Sequence, residues 1–399
     1  MEKVIHVGLL GLTFGSSNMG CEALGYGFLN VLEKTAEQMG EVFDVRIFEK
    51  CDIELIKENG NYERLNLSSI SIPGVKKIKD IRTHIKNFKN CDCIFDFTAG
   101  DSFSDIYGKK RFFIRTIIKR LAELSGTPFV LGSQTYGPYN SKWVRHFAKR
   151  VIQKASGVYA RDWMSWDLAT KLSGRKVTQT VDVAFAMQYK KTTIPSNKIL
   201  VGFNPSGLLW NGGYTRNNQF GLTVDYQKYC IEVIRNLLDR GDCEIHLIPH
   251  VLSDDMKKAD NDKVACEKLK NLFPSLIVAP DFKTPVEAKS YISAMDFFIG
   301  ARMHATIAAF TTGVPVVPFS YSPKFEGLYT SVGYNHVISA KKVTTEEAVK
   351  QTLELLNDRS VLRKELIEHS PEIEKGVFFL VRMTECEIRL AGEKRDRSY

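Results

Sequence analysis

Several features are missing from this chain of 399 residues. No apolar run approaches the roughly 18 residues that a membrane-spanning helix needs. The start, Met1-Glu2-Lys3-Val4, leads straight into a strand pattern without a signal-peptide profile, so a cytoplasmic location is expected. The eight cysteines are scattered and include no CxxC pair. They read as reduced thiols that fill core positions, and no metal site is expected. There is no GxGxxG and no P-loop, so no motif supports nucleotide binding. Internal repeats, low-complexity tracts and recognised nucleic-acid-binding motifs are also lacking, and no nucleic-acid partner is expected. What remains is an ordinary globular composition, 44% hydrophobic and 25% charged, in a chain long enough for two domains.

Acidic residues are scarce in one half only. The net charge is +9; residues 1–195 hold 29 Lys and Arg against 20 Asp and Glu, and residues 196–399 hold 26 of each. The excess concentrates in Lys76-Lys77-Ile78-Lys79, in Lys109-Lys110-Arg111 with Arg115 and Lys119-Arg120, and in Lys142, Arg145, Lys149-Arg150 and Lys154. Two readings stand: solvated helix faces, or attraction to an anionic membrane surface or a diphosphate-bearing substrate.

Short apolar runs alternate with helical patterns. Strands are expected at Val4–Leu12, Phe43–Phe48, Cys91–Phe97, Pro128–Gly132 and Val158–Ala160, with helices at about Glu22–Met39, Lys110–Leu124 and Ser141–Lys154. A polar segment, Lys190 to Asn197, reads as a linker. The rhythm then restarts with strands at Ile199–Phe203, Cys243–Ile248, Ile277-Val278, Phe297–Ile299 and Val314–Phe319. Helices are expected there at Tyr226–Asp239 and Val264–Leu272. The fold class is therefore α/β, with Rossmann-like domains at 1–195 and 196–371. A C-terminal helix within about 372–399 is expected to pack back on the first domain. Two such domains facing a cleft resemble the GT-B glycosyltransferase architecture, with ligands at the carboxyl ends of the strands.

The most informative stretch is Ile299-Gly300-Ala301-Arg302-Met303-His304-Ala305. An apolar strand enters a tight turn, and a helix starts near Met303. Arg302 and His304 thus fall at a helix N-terminus, where free N–H groups and the dipole favour an anion. Lys324 follows, after Gly313-Val314-Pro315 and Tyr321. The loop Gly15-Ser16-Ser17-Asn18-Met19-Gly20-Cys21-Glu22 lets backbone approach a ligand closely, or is a plain turn. Asn18 and Glu22 are candidates for bonding sugar hydroxyls. Asp96 lies within a strand and reads as structural. Asp101 sits at a loop tip, either as a helix cap or as a base for an attacking hydroxyl. Arg161 follows a short strand and either binds an anion or pairs with Asp162 or Asp182. His246 alternates with apolar residues and reads as core, and His250 ends its strand at the cleft position.

These pieces, in this order, resemble the polysaccharide pyruvyl transferase family. The matching stretches are Asn18-Met19-Gly20-Cys21-Glu22-Ala23, Ala99-Gly100-Asp101-Ser102-Phe103-Ser104-Asp105 and Gly132-Ser133-Gln134-Thr135-Tyr136-Gly137-Pro138. They continue through Ala160-Arg161-Asp162 with Ser165, Asp182-Val183-Ala184-Phe185, Gly300-Ala301-Arg302-Met303-His304-Ala305, and Pro315 to Tyr321 with Lys324. Two positions depart from the family pattern: Cys21 stands where an acidic residue is usual, and Ala99 where a glycine is usual.

The resemblance implies transfer of pyruvate from phosphoenolpyruvate to a sugar as a cyclic ketal, with no metal or organic cofactor. It implies His304 as general acid and Asp101 as base. Arg302, Arg161, Lys324 and Met303 would bind the donor in the second domain. Asn18, Gly20, Glu22 and Gln134 would contact the acceptor on the side of the first. The implied acceptor is a lipid-diphosphate-linked oligosaccharide, with galactose as the family-level guess, met at the inner membrane face. Two other readings are kept: a nucleotide-sugar-dependent GT-B glycosyltransferase, and a non-catalytic saccharide-binding protein.

Overall fold

The computed structural model describes residues 4–396 apart from 73 and 76, and all of their side chains except those of Lys324, Arg395 and Asp396. Lys76 of the basic run, the Lys324 side chain and the last three residues of the C-terminal helix segment therefore lie outside the described residues. The chain forms two compact units. One comprises Met1–Gly15, Leu24–Gln188 and Lys375–Tyr399, and the other Ser16–Ala23 and Tyr189–Glu374. The glycine loop and the first residues of the helix after it thus go with the second unit, not with the first as the sequence suggested.

In the first unit the strands are β1 (Val4–Leu10), β2 (Val42–Ile47), β3 (Leu65–Ser69), β4 (Cys93–Asp96), β5 (Phe129–Gln134), β6 (Val158–Ala160) and β7 (Thr178–Gln179). The helices are α1 (Met19–Met39, which starts in the second unit), α2 (Ile53–Glu58), α3 (Ile78–Lys89), α4 (Lys109–Leu124), α5 (Lys142–Lys154) and α6 (Trp163–Ser173). The strands pair in parallel in the order β3-β2-β1-β4-β5-β6-β7. Every residue of β4 and β5 is buried, as expected of central strands covered by helices on both faces. Helix α5 shows how the pattern works: Val144, Ala148, Val151 and Ile152 recur at helical spacing and are buried, and the rest of the helix is polar, charged or aromatic.

The second unit holds β8 (Ile199–Asn204), β9 (Cys243–Leu247), β10 (Ile277–Val278), β11 (Phe297–Gly300), β12 (Val316–Ser320) and β13 (Ile338–Ser339). Its helices are α7 (Gly207–Trp210), α8 (Tyr226–Asp239), α9 (Asp262–Leu272), α10 (Pro285–Ile292), α11 (Met303–Thr311), α12 (Pro323–Ser331) and α13 (Thr345–Asn357). The sheet order is β10-β9-β8-β11-β12-β13, again parallel. Val201, Phe203, Ile245, Leu247, Phe297, Ile299, Val317 and Phe319 carry its core. In both sheets the order reverses beside the first strand, between β1 and β4 and between β8 and β11. Such switch points open a crevice at the carboxyl ends of the strands.

Helix α14 (Arg359–Asp396) carries the chain out of the second unit, with Pro371 inside it. Within the first unit, Tyr159 donates to Glu387 Oε1 at 2.5 Å and Thr35 donates to the Val381 carbonyl. The C-terminal segment is thus packed onto that unit.

Candidate functional site

The second unit gathers its polar residues at the β8/β11 switch point. Asn204, the last residue of β8, bridges three strands. Its Nδ2 donates to the Ile248 carbonyl at 2.8 Å, and its Oδ1 accepts the Arg302 backbone N–H at 3.0 Å. This fixes the turn between β11 and α11, so Arg302 caps α11, Met303 opens it and His304 follows.

Asp262, fully buried at the start of α9, anchors the arrangement. It accepts backbone N–H groups from Gly207 (2.8 Å), His250 (3.0 Å) and Val251 (2.9 Å). It also takes the Arg302 guanidinium side-on, from Nη2 at 2.7 Å and Nε at 3.1 Å. Arg302 Nη2 additionally donates to the Asp260 carbonyl at 2.5 Å. Burial works against the charge of Arg302, but Asp262 and its hydrogen bonds outweigh that and hold the guanidinium above its ordinary pKa. Of the five N–H groups of an arginine, those on Nε and Nη2 are taken. Nη1 makes no hydrogen bond among the described residues, and the side chain is 13% exposed. Two of its nitrogens, Nε and Nη2, thus grip Asp262.

His250 lies under this turn. It is buried, and neither ring nitrogen has a hydrogen-bond partner among the described residues. Burial, reinforced by His304 and Arg302 close by, pushes its pKa down to about 3, so the ring is neutral at physiological pH. Unpaired buried nitrogens are costly, about 1–3 kcal/mol each, and call for an explanation.

The segment Ser16–Ala23 lies against the same residues. Met19 N–H donates to the His250 carbonyl at 3.1 Å, Leu252 N–H donates to the Ser17 carbonyl at 2.6 Å, and Asn18 forms an antiparallel bridge with Val251. Gly20 is required there: a Cβ on it would lie 2.7 Å from His304 Nδ1. Asn18 Oδ1 accepts from the backbone of Gly20 and Cys21, so that oxygen caps α1. Glu22 is buried.

The first unit has its own cluster, at the ends of β4, β5 and β6. Arg161 is 5% exposed; its Nη1 donates to Asp182 Oδ2 at 2.7 Å and its Nε to Thr135 Oγ1 at 2.9 Å. Of the two partners the sequence left open, Asp182 is the one chosen. Asp162 instead caps α6, accepting from Ser165 N–H at 2.8 Å. Burial opposes the Arg161 charge, and Asp182, Asp101 and Asp162 together raise its pKa. Asp101 accepts the Tyr107 hydroxyl at 2.6 Å, so it does not cap a helix; Gly108 occupies the cap position of α4. Gln134 is buried, and its Nε2 donates to the Asp96 carbonyl. Asp96 is structural, pairing with the buried Lys119 at 2.8 Å. Between Asp96 and Asp101 the backbone is strained: Thr98, Ala99 and Gly100 have φ of 45°, 52° and 81°. A side chain on Gly100 would meet Arg161 Nη1 at 3.1 Å.

The structure therefore gathers Asn18, Gly20, Glu22, Arg302, Met303 and His304 in the second unit, and Asp101, Gln134 and Arg161 in the first. Sequence reasoning missed Asn204 and Asp262. Asn204 ends a strand at the switch point, and Asp262 sits in a run, Asp260-Asn261-Asp262, that reads as helix capping. Among the described residues no group of three or more His, Cys, Asp and Glu is arranged to hold a metal ion.

The fold is that of GT-B glycosyltransferases and related epimerases. A glycosyltransferase from Rickettsia africae superposes with a TM-score of 0.60 at 9% identity, over 98% of this chain and 99% of that one. HepE of Anabaena, solved with UDP, superposes with a TM-score of 0.58 at 12% identity, over 96% and 98%. A putative UDP-N-acetylglucosamine 2-epimerase from Listeria monocytogenes gives 0.57 at 12% identity, over 91% of each chain. No curated protein matches the sequence. The profile of one family, polysaccharide pyruvyl transferase, matches residues 18–323.

Proposed function

The chain belongs to the polysaccharide pyruvyl transferase family, and from that premise we propose that it moves pyruvate from phosphoenolpyruvate onto a sugar of a surface-polysaccharide precursor as a cyclic ketal, releasing phosphate. The observation that carries this reading is the anion-favouring turn at the start of α11. There Arg302, held by Asp262, caps α11, and Met303 and His304 open its first turn, at the positive end of the helix dipole. Phosphoenolpyruvate, with a carboxylate and a phosphate, suits such a turn.

In this reading His304 delivers a proton to the methylene carbon of the donor, which becomes a methyl group. The central carbon gains cationic character, and a sugar hydroxyl adds to it, its proton passing to Asp101. A second hydroxyl then displaces phosphate, which leaves with that hydroxyl's proton, and the ketal ring closes. The two hydroxyl protons thus balance the one gained by carbon and the one carried away by phosphate, and neither step calls for an organic cofactor. His250, neutral and unpaired, offers one nitrogen as donor and one as acceptor to the bound donor molecule. The Lys324 side chain is a further candidate cation for the phosphate. The acceptor in this proposal is a lipid-diphosphate-linked oligosaccharide containing galactose.

The test is a thermal-shift comparison of wild type and Arg302→Ala with phosphoenolpyruvate, UDP, GDP and CMP. Stabilisation by phosphoenolpyruvate alone, lost in the variant, is expected. Stabilisation by a nucleotide alone would replace this reading with that of a nucleotide-sugar glycosyltransferase. For the general acid, His304→Ala is expected to lower turnover by about 10²–10⁴-fold; near wild-type turnover would remove His304 from that role.

A further inference from the structure

Helices α4 and α5 are neighbours in the first unit, and their outer faces carry exposed aromatic rings. Phe113 is 46% exposed, Ile114 39%, and Trp143 and Phe147 each 36%. These are not scattered apolar residues. The Phe113 and Phe147 rings approach to 6.4 Å across the two helices, and Trp143 stacks edge-on to Phe147 at 6.0 Å, one turn away. Leaving three packed rings in water is unfavourable unless something covers them.

The exposed charge on the two helices is almost all positive, with Asp105 beside the start of α5 as the nearby exception. Lys109, Lys110, Arg111, Lys142, Arg145, Lys149 and Arg150 are exposed. None of them is in ion-pair contact with a carboxylate among the described residues. Helix α5 contains no acidic residue, and the acidic residue of α4, Glu123, pairs with Arg120. Arg111 lies 5.2 Å from the Tyr107 ring, continuing the mixture of cation and aromatic to the start of α4. No helix among the described residues is long and apolar enough to cross a membrane.

We infer that the α4–α5 face docks the protein on an anionic lipid bilayer, with Phe113, Ile114, Trp143 and Phe147 entering the headgroup boundary and the surrounding lysines and arginines meeting lipid phosphates. Rings that sit between apolar and wet surroundings suit that boundary, and basic residues flanking them add electrostatic attraction. A partner protein would be expected to bring carboxylates to a discrete set of these cations. The ring of cations around a contiguous apolar centre fits a surface of dispersed negative charge better. The inference extends the reading of a lipid-linked acceptor, because it brings the enzyme to where such an acceptor resides. Binding, however, is measurable without catalysis.

The experiment is co-sedimentation of the full chain with phosphatidylcholine vesicles, with and without about 30% phosphatidylglycerol. Binding is expected only to the anionic vesicles, falling more than about tenfold between roughly 0.05 and 0.5 M salt. Lys149→Glu is expected to weaken it about fivefold or more, whereas Lys350→Glu, the same charge change on α13, leaves it unaltered. Phe113→Ser with Phe147→Ser is expected to weaken it more than about tenfold; should that variant melt early, the Lys149→Glu and Lys350→Glu pair decides alone. Equal binding to neutral vesicles, equal loss in both charge variants, or no vesicle binding beside tight binding to an acidic protein or an oligonucleotide would overturn the inference. His304→Ala should bind vesicles as the wild type does. If transfer to a lipid-linked sugar fails while vesicle binding holds, the functional reading falls and the docking face stands; the reverse result removes the docking face alone.

Discussion

The two units each hold an arginine just beyond a parallel strand, paired with a fully buried aspartate, and they use it differently. Arg302 grips Asp262 side-on, and that carboxylate also collects three backbone N–H groups. Its other titratable neighbours are Asp260, Tyr321 and the neutral His250. Arg161 spends Nη1 on Asp182 and Nε on Thr135, and it stands among three carboxylates, Asp182, Asp101 and Asp162. Negative charge exceeds positive there. Carboxylates accept hydrogen bonds from hydroxyls and repel phosphate, and on the function proposed above the first cluster would take the sugar and the second the anionic donor. The backbones differ too. The turn into α11 is relaxed, with Arg302 at φ −100°, whereas the loop after β4 holds Thr98 and Ala99 at positive φ.

The largest expected difference is in stability. Asp262→Asn should cost about 3–5 kcal/mol, because it unpairs a buried guanidinium and weakens three backbone bonds at once. Asp182→Asn should cost less, about 1–3 kcal/mol, since Thr135 and two other carboxylates remain beside Arg161. Urea unfolding of both variants checks this, and equal losses would erase the contrast.

Ligand affinity comes next. Arg302→Lys should weaken phosphoenolpyruvate binding about tenfold or more in titration calorimetry. The resemblance gives Arg161 to the donor, but with Nε and Nη1 taken by Thr135 and Asp182 its replacement by Lys should leave donor affinity within about twofold while raising the KM for the acceptor sugar. A matching loss of donor affinity in both variants would place Arg161 with the donor after all.

Acid exposes a further asymmetry. His250 binds its proton in the unfolded chain near the ordinary histidine value but resists it when folded until about pH 3. The unfolded state therefore binds more protons across that window, and stability falls as the pH drops. The contribution is fully present above pH 6.5 and should be smaller by about 2 kcal/mol at pH 5. His250→Asn should lack this slope when melting is compared at the two pH values. An unchanged slope would mean the ring is already satisfied or hydrated.

The smallest effect concerns the strained loop. Ala99→Gly should stabilise the protein by about 0.5 kcal/mol, relief of the positive φ slightly exceeding the added chain entropy. Destabilisation would show that the Ala99 methyl has a packing role.

Much of this was legible in the sequence, for identifiable reasons. The buried central strands and the helices Tyr226–Asp239 and Lys142–Lys154 announce themselves through continuous apolar runs and 3.6-residue spacing. Three of the four edge strands do not: Leu65–Ser69 is largely polar, and β7 and β13 are two residues long, whereas the apolar pair Ile277–Val278 was legible. The C-terminal helix was expected from about residue 372, yet α14 runs through Pro371 from Arg359. Arg302 and His304 were legible because strand, turn and helix are contiguous there. Asp262 was not, because its contact with Arg302 spans 40 positions and exists only once β9, β8 and β11 lie side by side.

The sharing of Asp262 has a consequence for quality control. The same carboxylate aims the arginine and ties Gly207, His250 and Val251 together. An inherited change there spoils recognition and solidity together. Copies of the protein that are sound in shape but blind to their ligand should be rare, because a molecule damaged at this point exposes itself to proteolysis before it can occupy an acceptor to no purpose.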